Sequence, residues 1–184
     1  MKAKDKIVFE PIGVAHTPFK EQAGTPIQPK AGKGVQGKIE ILQELTEGLA
    51  DLDGFSHIIV LFHLHLSDGY KLKVVPYMDE QERGVFATRA PRRPNPIGLS
   101  VVRLQRVEDN VLHICDVDML DGTPVLDIKP YTPHFEPDEE FKSGWLQQVG
   151  RTVSSRCADE RFKSSKPEEI NINHKELKER KETS

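Results

Sequence analysis

Two segments of the chain concentrate side chains able to do chemistry. The first is Arg83 to Gly98, RGVFATRAPRRPNPIG. Pro91, Pro94 and Pro96 fix φ and remove backbone donors, so this stretch is neither a helix nor an inner strand. It is expected to be a stiff surface loop that follows a strand ending at Arg89. Arg89, Arg92 and Arg93 sit on it, and guanidinium groups on a pre-stiffened loop bind carboxylate or phosphate with little entropy to lose. The second is Asp118 to Tyr131, DMLDGTPVLDIKPY. Asp121 and Gly122 make a turn, with Asp118 and Asp127 on either side. Acids so placed either accept backbone N–H groups of the turn or take a proton from a reacting group, and spacing alone leaves both open.

Two other constellations read as less chemical. Along Phe55 to Leu66 (FSHIIVLFHLHL), period two places His57, Ile59, Leu61, His63 and His65 on one face. His-x-His with His113 resembles a metal site, but no carboxylate or cysteine stands at a companion spacing. The expectation is no metal, with one histidine lining a pocket and the others hydrogen-bonded. Gly32, Gly34 and Gly37 fit G-x-G-x-x-G, yet Pro26 and Pro29 break any strand before them and KIEIL after them alternates like a strand. A dinucleotide site needs the reverse order, strand then helix, so these glycines are expected to form a loop.

The elements that must position these residues are mostly strands. Val8 to His16, Gly37 to Leu42, Phe55 to Leu66, Lys71 to Pro76, Gly84 to Arg89, Leu99 to Val107, Val111 to Val117 and Val125 to Lys129 carry strand-like composition. Asp109-Asn110 reads as a hairpin turn. Only Gln43 to Leu52 has helical spacing, with Leu45, Leu49 and Leu52 on one face. Closely spaced strands with little helix predict an all-β, mainly antiparallel barrel or sandwich. The division expected is a domain over 1–137 and a charged, partly helical appendage over 138–184, its start docked by Trp145 and Leu146.

Composition narrows the classes. The chain has 184 residues, 30% of them charged and 36% hydrophobic, with net charge -3. No apolar run is long enough to span a membrane. Two cysteines, Cys115 and Cys157, are too few for a disulfide framework. The first ten residues, MKAKDKIVFE, lack the apolar region of a secretory signal, so the cytoplasm is the expected compartment. Any attraction for nucleic acid must come from a local patch rather than from bulk charge.

At FATRAPRRPNPIG and DGTPVLDIKPY, the chain resembles the TrmO family, tRNA adenine-N6-methyltransferases with a TsaA-like fold. PIGVAHTPFKE (Pro11 to Glu21) and GFSHIIVLFHLH (Gly54 to His65) support the resemblance, which runs from about Ile7 to Pro137. It implies a single-sheet β-barrel with few short helices, dependence on S-adenosylmethionine, and a homodimer with the cofactor near its interface. It also implies methylation of N6 of the threonylcarbamoyl-modified adenosine at position 37, in the anticodon loop of tRNA. By motif, the implied cofactor positions are Pro29, Lys30, Ala31, His65, Arg89, Leu99, Cys115, Asp116, Val117 and Asp118. Methyl transfer to an amine needs an acceptor for the N6 proton; Asn95, Asp118 and Asp127 are the expected catalytic residues, with Asp121 a further candidate. Arg92, Arg93 and Lys129 are expected to bind the carboxylate and phosphates of the substrate. Tyr131 or Phe135 is expected to stack its base. Two alternatives remain: a methyltransferase of this fold with a small-molecule or protein acceptor, and a non-catalytic module that binds an adenosyl ligand.

Overall fold

The computed structural model describes residues 6–132, 143–146 and 157–162. Six strands close a barrel in the order β1 (Gly13–His16), β2 (Gln36–Ile41), β7 (Val111–Cys115), β6 (Ile97–Glu108), β3 (His57–His63) and β8 (Thr123–Pro130). All six pairings are antiparallel, and β8 with β1 completes the circle. Closure leaves no unpaired edge. A separate two-stranded ribbon pairs β4 (Lys73–Val74) with β5 (Arg83–Gly84).

Alternation decides what fills the barrel. On β3, Ile58, Val60 and Phe62 point inward and are nearly fully buried, while His57, Ile59, Leu61 and His63 face out. Val102 and Leu104 of β6, Leu112 and Ile114 of β7, Ile39 and Ile41 of β2, Ala15 and Val125 join the same core. Val117 and Met119, just past β7, lie across one end of it. Gly98 is required at the inward face of β6, because a Cβ there would collide with the Phe62 ring.

Several sequence expectations change in detail. Gln43 to Leu52 does not form an α-helix. It forms 3-10 turns over Gln43–Leu49 and Leu52–Gly54, and Leu49 and Leu52 pack from outside onto the core. Gly48 weakens helix propagation, and a single packed face does not compensate. The strand expected to end at Arg89 instead stops at Gly84 and continues as a 3-10 turn, Val85–Ala87. The glycine motif is indeed a loop. Gly34 holds φ +84, and a Cβ on Gly32 would strike the Val117 carbonyl; β2 follows directly.

A second, smaller core sits beside the barrel: Val74, Val85, Ala90 and Phe162, with Tyr77 edge-on to Phe162 at 5.0 Å. Residues 157–162 thus form a strap. Gly24 donates to the Ala158 carbonyl (2.9 Å), Ala158 returns a bond to Thr25 (2.7 Å), and Arg161 Nη1 reaches the Pro76 carbonyl (2.6 Å). Trp145 Nε1 donates to the Ala87 carbonyl at 2.9 Å, the contact through which this part of the chain meets the barrel domain. Replacing Phe162 with alanine removes the anchor of the strap. The expected result is a loss of about 3 kcal/mol or more, read as a lower urea midpoint with an unchanged slope.

Candidate active site

The barrel end reached by β3, β6 and β8 carries a cleft of about 570 Å³. Two irregular segments frame it, and each satisfies the other's backbone. The turn after β3 donates Leu64 N–H to the Pro96 carbonyl (2.8 Å), and Ser67 Oγ donates to the Pro91 carbonyl (2.9 Å). Prolines lack donors but keep carbonyls, so a proline-rich loop is well suited to accept these bonds. Arg93 braces the loop from within. Its Nη1 donates to the carbonyls of Thr88 (2.8 Å), Val85 (3.2 Å) and Ala90 (3.4 Å), and the guanidinium lies 6.0 Å from the Phe86 ring. The sequence suggests an anion contact at Arg93; the geometry gives it a structural duty as well.

Asp118 is the largely buried acid that borders the cleft. Ser100, buried on the inward face of β6, donates Oγ to Asp118 Oδ1 at 2.5 Å. Burial pushes the Asp118 carboxyl up from 3.8 to about 6, against the opposing pull of the Ser100 hydrogen bond and the Arg89 charge. His65, on the turn after β3, has its pKa lowered by burial and by His63, so its imidazole is neutral near pH 7. Its Nδ1 lies 3.5 Å from Thr123 Oγ1, at the limit of a hydrogen bond. Apolar walls come from Leu64, Leu66, Met119, Leu120 and Phe86.

The structure sorts the expected residues. His65, Arg89, Leu99, Asp118 and Arg93 line the cleft. Pro29, Lys30 and Ala31 lie just past its wall, which is built instead from Thr25, Pro26, Ile27 and Gln28. Cys115 to Val117 carry the chain to Asp118 rather than lining the space. Cys115 Sγ is buried and accepts from Arg103 Nη2 (3.2 Å). Asp116 takes φ +67, accepts Gly34 N–H (2.7 Å) and pairs with Arg103 (3.3 Å). Val117 is fully buried in the barrel core.

Among the proton-acceptor candidates, Asp118 alone borders the cleft. Asp121 is a turn former, bonded to Thr17 N–H (3.0 Å) and Lys20 (2.5 Å). Asp127 pairs with Lys129 at 2.6 Å on the flank of β8. Asn95 is exposed on the proline loop, its carbonyl accepting Ile97 N–H. Lys129 pairs in register with Ile59. Its distance from Thr123 is about 20 Å along β8, at roughly 3.3 Å per residue. Tyr131 lies further still, its ring 6.5 Å from His57, and Arg92 is half-buried beside the ridge at 70–73. Phe135 lies outside the described residues. Ser100, Thr123, Trp145 and Phe162 were not singled out as site residues, though all border the cleft. Ser100 leaves one signal, a hydroxyl at an inward position of an apolar strand. No group of three or more potential metal ligands occurs among the described residues.

A closed antiparallel barrel with an acid-containing cleft at its rim is a class distinct from nucleotide-binding α/β sheets. The model of the tRNA-methyltransferase O N-terminal domain matches residues 14–137, and the chain belongs to that family. It is 51% identical over 156 residues to a probable S-adenosyl-L-methionine-binding protein of Pyrococcus abyssi, covering 85% of each chain. It is 39% identical over 142 residues to the mouse tRNA (adenine(37)-N6)-methyltransferase, covering 73% of this chain and 33% of that one. A crystal structure of TrmO from Pseudomonas aeruginosa superposes with a TM-score of 0.66 at 36% identity, over 79% of this chain and 64% of that one.

Arg93→Ala is expected to loosen the segment that carries Arg89. Losing charged hydrogen bonds to buried carbonyls costs roughly 1.5–3 kcal/mol. Thermal melting of the variant checks this, and Arg93→Lys, which lacks the planar fork, is expected to restore less than half of the loss.

Proposed function

We propose that this protein transfers a methyl group from S-adenosylmethionine to N6 of threonylcarbamoyladenosine at position 37 of tRNA. The observation that carries the reading is the convergence of His65, Arg89, Leu99 and Asp118 on one cleft of a TrmO-family barrel. The residues suit the cofactor. The cleft has a volume typical of small-molecule sites, its apolar walls suit an adenine, Arg89 suits a carboxylate, and Asp118 is an acid poised to ionise. When bound, S-adenosylmethionine supplies an electrophilic methyl group on a positively charged sulfur.

The chain's own residues have three tasks in this reading. Arg89, held by the Arg93 brace, orients the donor by its carboxylate, and orientation supplies much of the acceleration of an in-line displacement. Ionised Asp118 would supply the negative charge that suits a cationic donor. Ser100 occupies its Oδ1, leaving Oδ2 to receive the proton shed by N6 as the new bond forms. The hydrophobic walls exclude water from the reacting atoms.

We also propose a homodimer working in the cytoplasm. Ile97 and Leu99 are exposed apolar side chains on the outer face of β6, suited to cover by a second copy. No helix among the described residues is long and apolar enough to cross a membrane. A second reading, an adenosyl-ligand-binding module without transfer, draws on the name given to the Pyrococcus relative. Cofactor carrying a labelled methyl group distinguishes the two. Label on A37 of tRNA supports the proposed reaction; label on a protein or small molecule overturns the tRNA acceptor, and binding without transfer to any acceptor supports the module and overturns the enzyme.

The native Asp118 carboxyl titrates near 6 and the unfolded one near 3.8, so the native state holds more protons between those values. Stability therefore falls as pH rises through that window, while activity, which needs the carboxylate, rises. The expected kcat/KM profile climbs to a plateau above about pH 6. Asp118→Asn is expected to lose roughly a hundredfold or more in kcat and to melt higher than the wild type at pH 8.

A further inference from the structure

The mouth of the cleft continues into a ridge that the donor site does not use. Tyr70, Lys71, Leu72 and Lys73 are all exposed, with Tyr70 61% and Leu72 63% accessible. One backbone contact ties this ridge to the arginine loop and two tie it to the β5 segment that precedes the loop. Lys71 N–H donates to the Arg92 carbonyl (3.3 Å), Val85 N–H donates to the Leu72 carbonyl (2.9 Å), and Lys73 pairs with Gly84. Phe86, next in the chain to Val85, is 76% exposed and borders the cleft.

Three exposed cations from two segments therefore lie along one rim: Lys71, Lys73 and Arg89. Tyr70, Leu72 and Phe86 are interleaved with them. Asp79 is engaged by Arg83 at 2.8 Å, and Glu80 and Glu82 lie in the β4–β5 connection beyond Val74, away from the Lys73–Gly84 end of the ribbon. Asp68 stands at the start of the ridge. A basic and aromatic rim on a chain of net charge -3 is complementary to a polyanion with exposed bases rather than to an apolar partner.

We infer that the ridge Tyr70–Lys73 is the track for the unpaired RNA strand beside the target nucleotide, with Lys71 and Lys73 on phosphates and Tyr70 stacked on a base. The inference rests on the tRNA reading above and names the surface that reading requires. Lysines on phosphates add affinity and salt dependence without sequence choice, and an aromatic face accepts any unstacked base. The Lys71–Arg92 backbone bond sets the ridge beside the loop that carries Arg89, so a strand laid on it would present its neighbouring nucleotide to the cleft.

The test uses the full chain and an anticodon stem-loop RNA containing threonylcarbamoyladenosine. Binding is followed by anisotropy from 50 to 200 mM salt, and methyl transfer by steady-state kinetics. The double variant Lys71→Ala/Lys73→Ala is expected to raise KM for RNA roughly tenfold and to lower the slope of log affinity against log salt by about 1.4. Its kcat and cofactor affinity should stay within twofold of the wild type, and its melting temperature within about 2 °C. Tyr70→Ala should raise KM with the slope unchanged, and Tyr70→Phe should restore it. Lys38→Ala, on β2, is the control for loss of one lysine charge away from the ridge. If the ridge variants match Lys38→Ala while the wild type methylates the RNA, the track is wrong and the enzyme reading stands. If the wild type transfers no methyl group to RNA, both fall. If an acidic peptide competes with the RNA and loses affinity equally in the ridge variants, the ridge is a protein-docking surface and the inference is overturned.

Discussion

Closure of the sheet is the constraint on which everything else depends. With β8 paired to β1, every barrel strand has two neighbours and the barrel offers no edge for a ligand to join. The interior is filled by inward side chains of all six strands, leaving no room for a cofactor inside. Chemistry is therefore confined to the rim, on connections that lack regular hydrogen bonding of their own. The protein supplies the missing bonds by pairing one irregular segment with another. The turn at 64–67 donates to the proline loop at 91–96, the loop at 24–26 pairs with the strap at 157–158, and Arg93 collects the carbonyls of 85–90. Rigid placement of His65 and Arg89 follows from this mutual satisfaction of polar groups.

Asp118 shows how the barrel tunes a group at its rim. The segment Cys115–Val117 crosses the barrel end with one residue in a left-handed conformation, Asp116, stabilised by Arg103 and the Gly34 N–H. Val117 and Met119 then plug the core, and Asp118 between them is directed to Ser100. Desolvation acts against the Ser100 hydrogen bond, the Arg89 charge and a backbone hydrogen bond, and desolvation wins. The outcome is a carboxyl that ionises near neutrality and responds strongly to an arriving cation.

The fold was legible because strand periodicity is local. Ile58, Val60 and Phe62 alternating with His57, Ile59, Leu61 and His63 announce a half-buried strand without knowledge of its partners. Asp109, at φ +52, and Asn110, bonded through Nδ2 to the Ile41 carbonyl, make the turn that their types suggest. The stretch at Gln43 to Leu52 misled because apolar spacing reports a face and not the hydrogen-bond register that separates α from 3-10 winding. The site was legible where a motif and the rim coincide, at Arg89, Leu99, His65 and Asp118. It was obscure where side chains distant in sequence meet. Nothing local to Ser100 reveals that Asp118 is its acceptor, and nothing local to Arg93 reveals that three carbonyls converge on its Nη1. Trp145 and Phe162 lie in a charged stretch that reads as an appendage, yet Phe162 is 5% exposed and completes the second core.

The account stands on a carboxylate at Asp118 meeting a positively charged donor. Calorimetric affinities for S-adenosylmethionine and for its uncharged demethylated product, measured on wild type and Asp118→Asn at pH 8, isolate that contact. The charged donor is expected to bind the wild type more tightly than the product, by roughly tenfold for a desolvated ion pair, and the preference is expected to vanish in the variant. Equal affinities in the wild type, or a preference that survives the substitution, would contradict the account.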